Sequence, residues 1–258
     1  MRLNFFKYQG TGNDFIIIDN RNNDIELSTK QINHLCHRKF GIGADGLMLM
    51  NASEGNDFEM KYYNADGHEG SMCGNGGRCM IRFAYNLGIH KTEYTFKAVD
   101  GLHKATIDDK GWINLEMQNV HGIQTIHGDR VLNTGSPHYV KAVSDLYDYD
   151  VVKVGREIRY SNGFKEEGVN VNFVEAEERQ IFVRTYERGV EDETLSCGTG
   201  VTAAALIFAH NDMGFNRVEV KTPGGHLAVE FNKISDTEFE NIWLCGPAEL
   251  VFEGVTEI

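Results

Sequence analysis

Asn64-Ala65-Asp66-Gly67-His68-Glu69-Gly70-Ser71-Met72-Cys73-Gly74-Asn75-Gly76-Gly77-Arg78-Cys79 joins a strand-like run, residues 58–63, to a helix-like one, residues 80–87. Glycine is the least favoured helix residue after proline. A cysteine followed by glycines therefore marks a backbone that turns sharply or whose amides another group must approach closely. A thiol at a helix start, backed by bare N–H groups, combines a reactive cysteine with an anion cradle. A plainer reading is a tight strand-to-helix turn holding a buried cysteine. A lone Cys-Gly does not separate the two; the rest of the chain does.

Upstream, residues 3–19 read as two strands broken by Gly10-Thr11-Gly12-Asn13-Asp14, with Phe15-Ile16-Ile17-Ile18 an apolar run of the buried-strand kind. Ser28 offers an N-cap with Gln31 at the third position, and Ile32, Leu35 and Cys36 follow at helical spacing, so a helix is expected to stop near Phe40-Gly41. Such a helix points His34, Cys36 and His37 in different directions, which argues against a metal site. Gly41, Gly43 and Gly46 have the spacing of a dinucleotide fingerprint, but strand-like Leu47-Met48-Leu49-Met50 follows where a helix is required.

Downstream, residues 94–99, 102–107 and 112–117 alternate and are separated by Asp-Gly or Asp-Asp-Lys-Gly, the pattern of antiparallel hairpins. Residues 154–167 read as a polar, charged stretch, and 169–174 and 180–186 as strands. Residues 201–210 are apolar nearly all round, as in a fully buried helix. Short strands are expected to close the chain.

The two halves repeat. Thr11-Gly12 recurs as Thr134-Gly135 and Tyr63 as Tyr186, each 123 residues on. Cys73-Gly74-Asn75-Gly76 recurs as Cys197-Gly198-Thr199-Gly200, 124 residues on, the slip falling within Val190-Glu191-Asp192-Glu193. A repeat near half the chain length indicates duplication, each half one α/β unit. Turn geometry alone would preserve the small residues. It does not explain cysteine in both places, because a helix start accepts Ser, Thr or Asp better.

The chain has 258 residues, 41% hydrophobic and 24% charged, the make-up of a globular protein of one large or two ordinary domains. Its net charge of −13 argues against nucleic acid or an anionic membrane as partner. No run approaches a membrane span, and the first residues are too polar for a signal peptide. Five irregularly spaced cysteines do not form a disulfide framework, so a reducing cytoplasm is the expected location.

Two related domains packed face to face would bring the two thiols towards one cleft, and three chemistries would then be open to them. A redox disulfide normally uses Cys-x-x-Cys within one loop. Zinc needs more than two ligands, and neither site has a second Cys or His beside it. The third chemistry is acid and base on opposite faces of one carbon, which inverts a stereocentre. It also uses the glycines, since helix N-termini aimed at a carboxylate stabilise the carbanion formed beside it. The same dipoles lower a thiol pKa from about 8.5 towards neutrality. That points to a racemase or epimerase with no cofactor and no metal.

The chain resembles the diaminopimelate epimerase family along nearly its whole length. The matching blocks are Gly10-Thr11-Gly12-Asn13-Asp14-Phe15, the Asn64 to Cys79 stretch, Asn133 to His138, Gly168-Val169-Asn170-Val171, and Glu187-Arg188-Gly189 to Gly200. The resemblance implies an α+β fold of two pseudo-symmetric domains, each a curled, mostly antiparallel sheet around a central helix. Their bounds would be 1–117, completed by about 248–258, and 118–247. It implies interconversion of LL- and meso-2,6-diaminoheptanedioate in lysine and peptidoglycan-precursor synthesis, by a homodimer. Cys73 and Cys197 would be the acid–base pair, and the amides of Gly74-Asn75 and Gly198-Thr199 would hold the reacting carboxylate. Asn13, Asn64, Asn170 and Arg188 would position the substrate, and Glu187 would help read its amine. His138 and Glu187 are expected near the thiols, tuning their protonation.

Two departures from the family pattern stand out. Ser136 replaces an Asn that some members use on the substrate, and Glu191-Asp192 lengthens the loop before Cys197 by one residue. Cys36, Cys79 and Cys245 are expected to pack as small hydrophobes. The rival readings are a racemase of the same fold acting on proline or another amino acid, an isomerase of related fold, and a thiol redox sensor.

Overall fold

The computed structural model describes residues 1–70, 72–178 and 180–258; Ser71, within the stretch quoted above, lies outside them. The chain divides into two compact units, residues 1–115 with 246–258, and residues 116–245.

The first unit runs β1 (Arg2–Gly10), β2 (Asn13–Asn20), α1 (Thr29–Cys36), β3 (Gly46–Asn51), β4 (Phe58–Asn64), α2 (Gly74–Asn86), β5 (Glu93–Ala98), β6 (Gly101–Ile107) and β7 (Ile113–Glu116). Thr11 and Gly12 both have positive φ, 50° and 84°, which gives a tight primed turn between β1 and β2. Strand β2 runs parallel to β3, and β4 to β5; the other neighbours are antiparallel. Ile16, Ile18, Leu47 and Leu49 pack with Ile32 and Leu35 of α1 on one face. Phe15 and Met48 point the other way, towards the glycines of α2. Burial on both faces is why these strands read as continuous apolar runs rather than alternating ones.

Helix α2 starts at Gly74, six residues before the helix-like run read from the sequence. Packing overrides propensity here. A Cβ on Gly76 would lie 3.1 Å from Met48 Sδ, and one on Gly77 3.1 Å from Leu115 Cδ2. Glycine is thus what lets the first turn lie against the sheet. Helix α1 carries the expected Ser28–Gln31 capping box but stops at Cys36, where His37 caps it.

The second unit continues with β8 (Val120–His121), β9 (Gln124–Ile126), β10 (Asp129–Asn133), β11 (Pro137–Ala142), α3 (Val151–Arg159), β12 (Asn170–Ala176), β13 (Gln180–Glu187), β14 (Asp192–Thr194), α4 (Gly198–Ile207), β15 (Gly214–Thr222), β16 (Gly225–Lys233) and β17 (Glu238–Gly246). The last strand, β18 (Glu249–Glu257), returns to the first unit and pairs with β1. Strands β15 to β18 have nine residues each, so the closing strands are long rather than short.

The duplication holds at the level of topology. Order β1-β2-β3-β4-β5-β6 recurs as β10-β11-β12-β13-β15-β16, and the parallel pairs recur too, β11 with β12 and β13 with β15. The stretch read as polar, residues 154–167, overlaps α3, which begins at Val151. Asp150 caps this helix, its side chain accepting from Lys153 N, and Val154 and Ile158 pack on Val171, Phe173 and Tyr186. The 123-residue offset carries α1 onto α3, so the repeat itself was the signal for this helix.

Candidate active site

In each unit the strand–loop–helix turn makes a cysteine the residue immediately before the first helical position. Cys73 (φ −101°, ψ 126°) and Cys197 (φ −113°, ψ 112°) are both extended, while Gly77 N and Val201 N bond back to their carbonyls at 2.7 and 2.8 Å. Neither cysteine side chain caps its own helix. The thiol stands where a Ser or Asp would normally satisfy the first N–H groups. The amides of Gly74-Asn75 and Gly198-Thr199 therefore open a helix of 13 and of 10 residues respectively, with the positive dipole end beside each sulfur.

Around Cys73 the polar groups are layered. Cys73 Sγ donates to Asn13 Oδ1 at 3.6 Å, and Asn75 Nδ2 donates to the same oxygen at 3.4 Å. Asn13 Nδ2 donates to Asp45 Oδ2 at 2.7 Å. Asp45 and Asp14 share the guanidinium of Arg38, and Lys7 pairs with Asp14 at 2.8 Å. Burial works against the Asp14 charge, but the hydrogen bonds and charges of Arg38 and Lys7 hold its carboxyl well below the usual carboxylate range. Beneath the helix start, fully buried Arg78 donates to Asn75 Oδ1 at 3.0 Å, Thr11 Oγ1 at 3.3 Å and Gly74 O at 3.4 Å. Arg78 thereby ties the glycine turn to the β1–β2 turn, a role the sequence reading missed. Asn64 ends β4 and is exposed; its carbonyl accepts from Gly67 N at 2.9 Å.

Around Cys197 two groups form. In one, Cys197 Sγ lies 3.5 Å from Thr199 Oγ1, which lies 2.9 Å from His138 Nε2. Thr134 Oγ1 donates to Thr199 O at 2.8 Å, steadying the same residue. Thr199 Oγ1 thus contacts both the His138 ring and the thiol. Burial first, and the Arg188 charge second, push its pKa down to about 3, so it is neutral at ordinary pH.

In the other group, Asn170 Nδ2 donates to Ser136 Oγ at 2.9 Å, and Asn170 Oδ1 accepts from Arg188 N at 2.9 Å. Arg188 also donates to Ser136 Oγ at 3.3 Å. Ser136 thus adds a second link between Asn170 and Arg188. Glu187 accepts from Thr194 Oγ1 at 2.8 Å. The extra residue of the loop is accommodated by Glu191 in the left-handed region, φ 59°, its carboxylate accepting from Tyr186 Oη at 3.0 Å and Gly189 N at 3.2 Å.

Cys36, Cys79 and Cys245 are buried, and burial pushes the Cys36 thiol up to about 12 and Cys79 up as well. They lack the electropositive helix-start setting that makes a thiol reactive. Among the described residues no three His, Cys, Asp or Glu side chains are grouped to hold a metal ion, and no helix is long and apolar enough to cross a membrane.

At the level of fold, the chain is similar to a phenazine biosynthesis protein of the PhzF family from Bacillus anthracis, with a TM-score of 0.79 over 100% of both chains at 16% identity. That likeness defines an α+β protein of two like units. Sequence defines more. The diaminopimelate epimerase family model matches residues 5–122 and 130–251. The diaminopimelate epimerase of Flavobacterium psychrophilum is 50% identical, over 97% of this chain and 99% of its own. That of Chlorobaculum tepidum is 42% identical, over 95% and 98%. The chain belongs to the diaminopimelate epimerase family, and so is an isomerase.

Proposed function

We propose that the protein interconverts LL- and meso-2,6-diaminoheptanedioate without a cofactor, in lysine and peptidoglycan-precursor synthesis, with Cys73 and Cys197 as the two acid–base groups. One observation carries this: each repeat places a thiol at the start of a glycine-opened helix. One cysteine, as thiolate, takes the α-hydrogen, and the electron pair left on carbon spreads onto the carboxylate. The amides of Gly74-Asn75 and Gly198-Thr199 stabilise that charge as it develops. The other cysteine, as thiol, gives its proton to the opposite face, so one thiolate and one thiol remain and nothing is consumed. Asn13, Asn64, Asn170 and Arg188 position the distal end, and Glu187 meets an ammonium.

Incubating reduced protein with LL-diaminoheptanedioate in D₂O tests this. Deuterium at one α-carbon with formation of the meso isomer is expected, because the proton returned comes from a solvent-exchanged thiol. No exchange by folded, reduced protein sinks the reading. Exchange of proline instead favours the rival racemase.

The same reading makes the molecule a cytoplasmic homodimer. A reducing compartment keeps the thiol pair from oxidation. The exposed apolar side chains of β18, Leu250, Val251, Phe252 and Val255, supply a surface for a second copy. Sedimentation at one chain mass overturns the dimer.

A further inference from the structure

The duplication provides an internal control for the residues behind each thiol. Strand β2 pairs with β3 through Ile16 and Leu47, and β11 pairs with β12 through Tyr139 and Val171. In that register His138 takes the place of Phe15, and Asn172 takes the place of Met48. The glycines agree: a Cβ on Gly76 would meet Met48 Sδ and Phe15 Cε1, while one on Gly200 would run into Asn172 Oδ1. The first unit fills the space beneath its thiol-bearing helix with an apolar pair. The second fills it with an imidazole and an amide, each fully buried. The fold does not require polar groups there, and burying them is costly unless they are all satisfied.

They are satisfied, and in one direction. Asn172 Nδ2 lies 3.2 Å from the carbonyl oxygen of Tyr139, which only accepts, so that atom is the NH₂. Its oxygen accepts from Thr185 Oγ1 at 2.9 Å. The amide therefore donates to His138 Nδ1 at 3.0 Å, and the ring proton belongs on Nε2. Nε2–H then donates to Thr199 Oγ1 at 2.9 Å, which leaves the Thr199 hydroxyl proton for Cys197 Sγ, 3.5 Å away.

We propose that Asn172 is a positioning residue whose amide, oriented by Thr185 and the Tyr139 carbonyl, fixes the His138 tautomer so that Thr199 donates a hydrogen bond to Cys197 and holds it as the thiolate. Asn172 acts through His138 and Thr199. At Cys73 the arrangement is opposite, since Asn13 presents an oxygen that accepts from the sulfur. The two thiols thus begin in different protonation states, Cys197 as base and Cys73 as acid. The consequence for turnover rests on the epimerase reading; the protonation of Cys197 does not.

The test is the pH dependence of iodoacetamide alkylation at Cys197 and Cys73, mapped by peptide mass in reduced protein without substrate. Asn172→Met should move the Cys197 midpoint up by about one pH unit, slowing its alkylation at neutral pH about tenfold. The Cys73 midpoint should stay. Thr185→Ser, which keeps the hydroxyl, should leave the wild-type profile. The double variant His138→Phe and Asn172→Met copies the pair the first unit already packs, and should show the same shift if Asn172→Met alone does not fold. An unmoved Cys197 midpoint in a folded variant overturns the proposal, as does an equal shift at both cysteines. Because no substrate is present, an unmoved midpoint with intact deuterium exchange condemns the relay alone. A shifted midpoint with no exchange by the wild-type protein condemns the epimerase reading alone.

Discussion

Asp45 Oδ2 accepts a hydrogen bond from Asn13 Nδ2 at 2.7 Å, the shortest contact orienting the Asn13 amide, whose oxygen also accepts from Asn75 Nδ2 at 3.4 Å. A carboxylate accepts only, so Asn13 turns its NH₂ to Asp45 and its oxygen to Cys73. Asp45→Leu frees the amide to rotate. Its kcat/KM for LL-diaminoheptanedioate is expected to fall by up to about 10²-fold, the scale of a misplaced site group. Asn13→Leu should fall at least as far. Steady-state kinetics check both, and an Asp45→Leu enzyme with wild-type kcat/KM would show that Asn13 needs no orienting.

Removing either thiol should stop epimerisation. Cys73→Ala and Cys197→Ala are each expected to lose about 10³-fold or more, in line with the loss of a general acid or base. Deuterium incorporation into LL and meso substrate, followed by mass, separates abstraction from return. Near wild-type turnover in either variant would break the pairing.

The helix-start glycines offer a paired comparison. Gly76→Ala meets a flexible Met48 sulfur at 3.1 Å, and gains up to about 1 kcal/mol of helix propensity to offset the crowding. Gly200→Ala meets Asn172, which is held by Thr185, Tyr139 and His138. A loss of about 1–3 kcal/mol is expected at Gly200, as for overpacking, and less than about 1 kcal/mol at Gly76. Urea titrations of the two variants measure the difference; equal values would place the rigid element elsewhere.

His138 supplies a pH dependence of stability. Its folded pKa is lowered to about 3, and the unfolded chain protonates the ring near 6.5. Between these values the unfolded state binds the extra proton, so the fold loses stability as pH falls from about 6.5 towards 3. Above 6.5 the ring is neutral in both states and contributes no slope. His138→Phe should flatten this limb, its stability relative to wild type rising as pH falls. Parallel curves from pH 7 to 4 would mean the ring is not buried as a neutral group.

Much of the site was legible because chemistry and local geometry coincide in the chain. The Cys-Gly pairs and the Ser28 cap each depend on neighbours a few residues apart, and the 123-residue offset on comparing such short motifs along the chain. Helix α3 was hidden by its charged residues and by Gly155, which is there because a Cβ would meet the Tyr186 side chain, a contact no local pattern announces. The early start of α2 was hidden for the same reason, since propensity scores the glycines without the sheet beneath them.

The sequence by itself determined that two like units each carry a thiol at a helix start, because the repeat and the glycine turns are written in adjacent residues. Only the tertiary structure decided that the two thiols differ in their surroundings. Phe15 and Met48 on one side, His138 and Asn172 on the other, come together through strand pairing. Which way a hydrogen bond points depends on which acceptors the fold brings within 3 Å or so, and that is a property of the packed chain.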